Sequence, residues 1–547
     1  MTEDRRATSA SGGRFAVATP HWAATEAACA AWTAGGNAVD AALTASAVLA
    51  VVYPHMCGLG GDLFAVVADA TSQTVVNGSG AAAANVDAAS LLRRQKVMPQ
   101  YGPHSVTVPG AVSAWGELAR RFGRRPLARA IEPAIALADS GAPVANSLAR
   151  AIADEYVRIE QDPGLKQVFA PHGRALRSGD QLLQPALAMT LRAVISDGPE
   201  AFYDGQAAAR FVGYLAHLGS SLSERDFREH HTEVCPPLRH RYRGHDVLVP
   251  PPNSQGFLLA EILSCIERSG AIPNHLAEDA ARIAHIYVAT AADRDQFLAD
   301  PRRVPVPLDR LLSAMHVDAI LAQSTRKSET QRDGLAASGD TVGIVVAESG
   351  GLWVSMNQSL YDSFGSGILE PSSGVICHNR GSAFSLDPSS AKTLAGGTRP
   401  PHTLLPVIVS RDGVPVLCSA TMGGSAHAQI HSQILMGILD RGQAPSEAVD
   451  SPRWLVGGVK RGAGATVLAE SRVAGPLITD LETSDLIVRS IGAWDERVGH
   501  AQVVSVGSDG LLSAASDRRS DGAAAVRDAQ DRAEPSGTGA DEYPLVD

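Results

Sequence analysis

No stretch of the 547-residue chain is long and apolar enough to read as a membrane-spanning helix. The best candidate, Ala41 to Tyr53, contains Thr44 and Ser46 and falls short of the roughly 20 apolar residues a bilayer requires, so it predicts a buried helix. The first residues, Met1 to Gly13, are polar and lack the apolar segment of a secretory signal, which predicts a cytoplasmic protein. Cysteine is scarce: Cys29, Cys57, Cys235, Cys265, Cys377 and Cys418 are scattered, with no CxxC spacing. That excludes a zinc knuckle or a thioredoxin-like motif and predicts reduced core residues. Runs of lysine or arginine are missing as well. With 47 basic against 58 acidic residues the net charge is −11, which excludes a protein that coats nucleic acid or lies on a membrane. Glycine (52) and proline (32) stay below the share of low-complexity chains. No repeat of fixed period is visible.

The chain that remains is long enough for three or four units or for one large fold. A strand is predicted at Phe15 to Ala18, then an alanine-rich helix over Ala23 to Ala34, stopped by Gly35 and Gly36. Asn37 is placed to cap a helix from about Val39 to Val52, ended by Pro54. The glycine-dense turn from His55 to Asp62 leads into a strand, Leu63 to Ala68, and so is not a dinucleotide loop, which would open a helix. Residues from about Leu118 to Ser313 carry helical punctuation, including a helix over Phe257 to Glu267. From Ser324 to Asp340 the composition turns polar and charged, as in an exposed, poorly ordered linker. Strands are then predicted at Thr341 to Ala347, Leu352 to Ser359 (joined by a turn at Gly350-Gly351), Pro406 to Ser410, Val414 to Ala420 and about Gln502 to Val506. A helix is expected over Ala428 to Leu439. The residues from Gly522 onward, rich in Ala, Asp, Gly and Pro, read as a disordered tail.

The seam between linker and strand is chemically suggestive. A threonine hydroxyl is a weak nucleophile without a base beside it. A cut between Asp340 and Thr341 would give Thr341 a free α-amine, ordinarily of pKa about 8, within reach of its own hydroxyl. One residue then supplies nucleophile and base, and the same hydroxyl can make the cut.

Motifs on both sides of the seam support this reading. Gly351 to Gly367, Arg399-Pro400, Thr403 to Pro406 and Met422 to Ser425 resemble hallmarks of the γ-glutamyltranspeptidase family. So do Gly35 to Ala42, Pro54 to Gly61, Val108 to Gly110 and Ser516 to Asp521, in the same order. The resemblance runs from about Phe15 to Asp521. It implies an α/β (α+β) protein, a four-layer αββα sandwich of the N-terminal nucleophile hydrolase type. It also implies one precursor that cuts itself into a helix-rich large subunit, residues 1–340, and a strand-rich small subunit, residues 341–547. By the same resemblance Thr341 is the nucleophile, Ser359 the hydroxyl that bonds to it, and Gly423 and Gly424 the oxyanion donors. No metal and no cofactor is implied. The partners implied are the two subunits of one precursor and a small-molecule substrate, with a homodimer of heterodimers left open.

Departures from the family pattern bear on substrate. Ser79 stands about where the transpeptidases carry an arginine for the γ-glutamyl α-carboxylate, and Ala383 stands where an aspartate holds the α-amine. His402 and Thr403 replace a pair of serines. Without both charges a γ-glutamyl zwitterion loses charge-assisted bonds of about 1.5–3 kcal/mol each. His378-Asn-Arg-Gly resembles instead the branch with oxamate amidohydrolase-like and cephalosporin-acylase-like members. Arg380 is therefore the candidate for gripping a substrate carboxylate, because a guanidinium fork matches it bidentately. Tyr361, His402, Thr403 and His55 are the other candidate substrate-binding residues. Gly343 leaves room for a wider pocket or for slower self-cleavage. His427 and His431, at i and i+4 on the expected helix, have no third ligand evident nearby and are read as core or surface residues rather than metal ligands. The chemistry expected is hydrolysis of a small amide bearing a carboxylate. Two alternatives are cleavage of an activated C–C bond to release oxalate in an antibiotic pathway, and an inactive homologue serving as a binding module.

Overall fold

The computed structural model describes residues 7–270, 274–324, 340–457, 466–473, 475–484 and 486–532. Fourteen strands form two seven-stranded sheets. In chain order they are β1 (Ser9–Gly13), β2 (Phe15–Thr19), β3 (Asp62–Ala68), β4 (Gln73–Asn77), β5 (Glu233–Cys235), β6 (Leu238–Tyr242) and β7 (His245–Val249). After these come β8 (Asp340–Glu348), β9 (Trp353–Tyr361), β10 (Val407–Arg411), β11 (Val414–Thr421), β12 (Ala501–Val506), β13 (Leu512–Ser516) and β14 (Ala523–Arg527). The first sheet has the order β14-β2-β8-β9-β3-β4-β5 and the second β1-β13-β12-β11-β10-β7-β6. Every neighbouring pair in both is antiparallel.

Strand alternation builds the layers. On β2, Phe15 and Val17 face a helical layer while Ala16 and Ala18 face the second sheet. On β8, Val342, Ile344 and Val346 meet the helices, whereas Val345 and Ala347 point between the sheets. The inner layer is made largely of small residues, with Ala16, Ala18, Ala68, Ala347, Ala420 and Ala514 among its members. The outer face of the first sheet is covered by α1 (Trp22–Thr33) and α2 (Ala38–Val52). The outer face of the second is covered by α3 (Gly256–Arg268), α4 (Ala280–Phe297) and α6 (His427–Leu435). A further helix, α5 (Ala314–Ser324), packs on α3 and α4. This is the expected αββα sandwich.

Helix α2 starts where Asn37 predicts. Its Oδ1 accepts from Val39 and Asp40 N–H, and Asp40 bonds back to the Asn37 N–H as a capping box. All fifteen α2 residues are buried, so the apolar run around Ala41 to Tyr53 is core. No described helix is long and apolar enough to cross a membrane. All six cysteines are free thiols, five of them buried.

Two expectations change. The predicted tail from Gly522 begins with β14, which pairs along β2 from Phe15–Arg527 to Thr19–Ala523. Composition hid it, because three alanines and a valine fit an edge strand against a small-residue sheet as well as they fit a coil. Residues 533–547 lie outside the described residues, as do 325–339 of the predicted linker. Gly343 does not widen a pocket. A Cβ there would stand 2.8 Å from the Ala420 carbonyl carbon and from Gln502 Oε1, so glycine lets β8 lie close on the second sheet.

Candidate active site

Thr341 occupies the second position of β8, and the β8–β9 register shifts between Asp340 and Val342. Such bulges re-aim a side chain at the end of a ladder. The Thr341 hydroxyl is buried and donates to Ser359 Oγ at 3.2 Å. Ser359, on the neighbouring strand β9, donates in turn to the Asp340 carbonyl at 2.6 Å. Ser359 Oγ also accepts from the Tyr361 N–H at 2.8 Å and from an Arg380 Nη at 3.4 Å. One serine thus touches the nucleophile candidate, the carbonyl before it and the arginine candidate.

Arg380 opens a short 3₁₀ turn, Arg380–Ala383, after β9. It is wholly buried, its other terminal nitrogen donates to Thr403 Oγ1 at 3.0 Å, and its carbon lies 4.0 Å from the centre of the Tyr361 ring. Tyr361 adopts φ 83°, outside the usual range for a bulky residue. Among the described residues no carboxylate lies at ion-pair distance from Arg380, and its Nε has no hydrogen-bond partner. Burial draws its pKa down, against the fields of Tyr361, Asp62 and Asp362.

Asp62, which ends the glycine-rich turn, organises this region, and sequence reasoning passed over it. One oxygen accepts from His402 Nε2 at 3.0 Å and stands 3.6 Å from His378 Nδ1. The other accepts from the Gly110 and Gly80 N–H groups. Burial pushes its pKa up, but His378, His402 and Arg380 outweigh that and hold the carboxylate below its usual range. His378 precedes Arg380 by two residues and His402 precedes Thr403, so Asp62 fixes both segments. A buried acid next to a glycine turn was the available signal.

The remaining predicted residues divide. Tyr361 and Thr403 line a cavity of about 370 Å³ together with Ala383, Phe384 and Ser425. Lys96, Arg294 and Lys392 also line it, with Asp295, from parts of the chain where sequence gave no reason to look. His402 is not a wall of that cavity. Its ring bonds to Asp62 and packs on Phe64. His55 does not line the cavity either: Nε2 pairs with Ser147 Oγ at 3.1 Å and the ring packs on Tyr53 and Phe364. Of the core and surface alternatives, the core holds for His427 and His431: both are buried, His431 bonding to Ser419 and the Leu405 carbonyl.

Gly423 and Gly424 follow β11 with φ 147° and 53°. A Cβ at Gly423 would stand 2.4 Å from Ile430 Cδ1. They begin the turn that enters α6, and the first N–H groups of a helical turn have no partner within it. Ser425, the next residue, lines the cavity.

The αββα sandwich is that of an enzyme of the N-terminal nucleophile hydrolase type, and the buried Thr341–Ser359 pair stands at the head of one of its central strands. The chain belongs to the family described as Gamma-glutamyltranspeptidase, which it matches over residues 24–527. It is 34% identical to a glutathione hydrolase-like proenzyme of Bacillus subtilis, over 94% of this chain and 98% of that one. It is 33% identical to an oxamate amidohydrolase proenzyme of Klebsiella pneumoniae, over 92% and 97%. The crystal structure of a cephalosporin acylase from Bacillus halodurans superposes with TM-score 0.85 at 29% identity, covering 96% of this chain and 98% of that one.

Proposed function

We propose that this chain is a self-processing amidohydrolase whose nucleophile is Thr341 and whose substrates are small amides bearing a carboxylate near the scissile bond. The observation that carries the reading is Ser359, which links the Thr341 hydroxyl to the Asp340 carbonyl through bonds of 3.2 and 2.6 Å. In the precursor, Thr341 Oγ attacks the Asp340 carbonyl carbon while Ser359 polarises its oxygen. The peptide C–N bond breaks, the hydroxyl proton passes to the departing nitrogen, and water hydrolyses the ester. This leaves residues 1–340 and 341–547 as two chains, in line with the proenzyme names of the relatives.

In turnover the freed α-amine takes the Thr341 hydroxyl proton as Oγ attacks the substrate carbonyl. The Gly423 and Gly424 N–H groups receive the oxyanion. The amine passes the proton to the leaving nitrogen, and water releases the acid. Arg380, which has no carboxylate partner among the described residues, receives that of the substrate between Ser359 and Thr403. Ser79 is bonded to Asn77 and Asn253, and Ala383 offers only a methyl group, so neither supplies the charge a γ-glutamyl group needs. An oxamate-like amide fits this arrangement better.

The test is a gel followed by an assay. Purified protein should resolve into two bands, and the processed form should release ammonia and oxalate from oxamate. A full-length band that persists on standing would overturn the Thr341 assignment. A processed protein that turns over no carboxylate-bearing amide, but cleaves an oxalyl C–C bond, would move the same machinery to the other chemistry.

A further inference from the structure

Three helices of the outer layer converge on an acidic site away from the Thr341 cluster. Glu261 lies on α3, Asp293 on α4 and His316 on α5. His316 Nε2 is 2.9 Å from Asp293 Oδ2 and 3.8 Å from Glu261 Oε1, and one atom from each residue lies within 4.8 Å of the others. Glu261 is 0% exposed and neither of its oxygens has a hydrogen-bond partner. Among the described residues, no lysine or arginine pairs with either carboxylate.

His316 can donate to Asp293, but Glu261, buried and without a partner, then faces a second carboxylate, and a cation joining the three would relieve that repulsion. Donors bound tetrahedrally at about 2.0 Å from one ion stand about 3.3 Å apart, close to the spacings here. We propose that Glu261, Asp293 and His316 bind one divalent first-row cation of the zinc type, which ties α5 to α3 and α4. The mixed oxygen and nitrogen set suits zinc better than calcium or magnesium, which prefer oxygen alone. Burial, then the charge of Asp293, raises the Glu261 pKa, as expected for a carboxyl that neutralises when no cation is bound. The ion would also steady the end of α4, where Arg294 and Asp295, next to Asp293, line the cavity that Tyr361 and Thr403 share.

The experiment uses the full chain, stripped with a chelator and titrated with zinc alone against a chromophoric competitor. Wild type should bind one zinc per chain, retain it through gel filtration and melt at a higher temperature. Glu261→Gln and His316→Ala should each weaken binding at least about 10-fold and remove the rise in melting temperature. If Glu261→Gln fails to fold, His316→Ala, at a partly exposed position, carries the test. Absence of stoichiometric zinc binding in wild type would mean that Glu261 is merely protonated, and would overturn the proposal. So would variants that bind zinc as tightly as wild type.

Discussion

Two buried arginine clusters in this molecule look alike in burial and differ in everything else. Arg453 and Arg519 meet Asp517 and Glu470 under the C-terminal motif. Arg519 bonds to Glu470 at 2.7 Å and to Asp517 at 2.9 Å, and Arg453 bonds to Asp517 at 2.9 Å and the Gly499 carbonyl at 2.8 Å. Each cation there has its anion, which marks a structural network. Arg380 is equally buried but, among the described residues, is held by hydroxyls and a tyrosine ring with no carboxylate at ion-pair distance. The lesson is that burial alone says little about an arginine's purpose. A guanidinium held in place without a carboxylate is the one that points to a ligand.

The largest effect expected is from Thr341→Ala, which should abolish self-cleavage and all turnover, leaving one band on a gel. Next comes the structural cluster. Arg519→Leu takes one of two arginine partners from each of two buried carboxylates, leaving Asp517 with Arg453 and Glu470 with Arg472, and should cost about 3 kcal/mol in denaturant unfolding, with activity per folded molecule nearly unchanged. Arg380→Leu should do the reverse. Stability should hold or rise, while kcat/KM for a carboxylate-bearing amide falls about 100-fold, or about 2.7 kcal/mol. An Arg380→Leu protein that unfolds while Arg519→Leu merely loses activity would break the comparison.

The smallest effect is a pH slope. Burial, with help from Glu496 and Asp362, pushes the Asp340 carboxyl up to about 7. The folded precursor therefore holds this proton more tightly than the unfolded chain does. The stability it contributes is intact below the ordinary carboxyl value and is lost as pH rises through about 7. In a Thr341→Ala background, which keeps the precursor whole, Asp340→Asn should flatten the fall of melting temperature between pH 4 and 8.

Much of this was legible because local rules and tertiary packing agree. The Asn37 cap, the β8–β9 hairpin and the glycines before α6 each answer to short-range geometry. The motif order identified the fold and brought Thr341, Ser359, Tyr361, Arg380 and Thr403 together. What stayed hidden depends on distant partners. Nothing near Asp62 in sequence announces His378 or His402, and nothing near Arg294 or Lys392 announces a shared cavity. His402 looked like a substrate contact because it precedes Thr403, yet its ring turns the other way to meet an acid 340 positions upstream. Strand β14 was missed because its partner β2 lies at the opposite end of the chain.

The order of the first sheet has a consequence for inheritance. β8 and β9 sit at its centre, flanked on one side by β2 and on the other by β3. If the chain is cut after Asp340, the two products already share one hydrogen-bonded sheet and cannot part without unravelling it. Each half would remain with the half it was synthesised with. A mixture of two variants made separately should then contain no hybrids, and every active site would be the product of a single translation event.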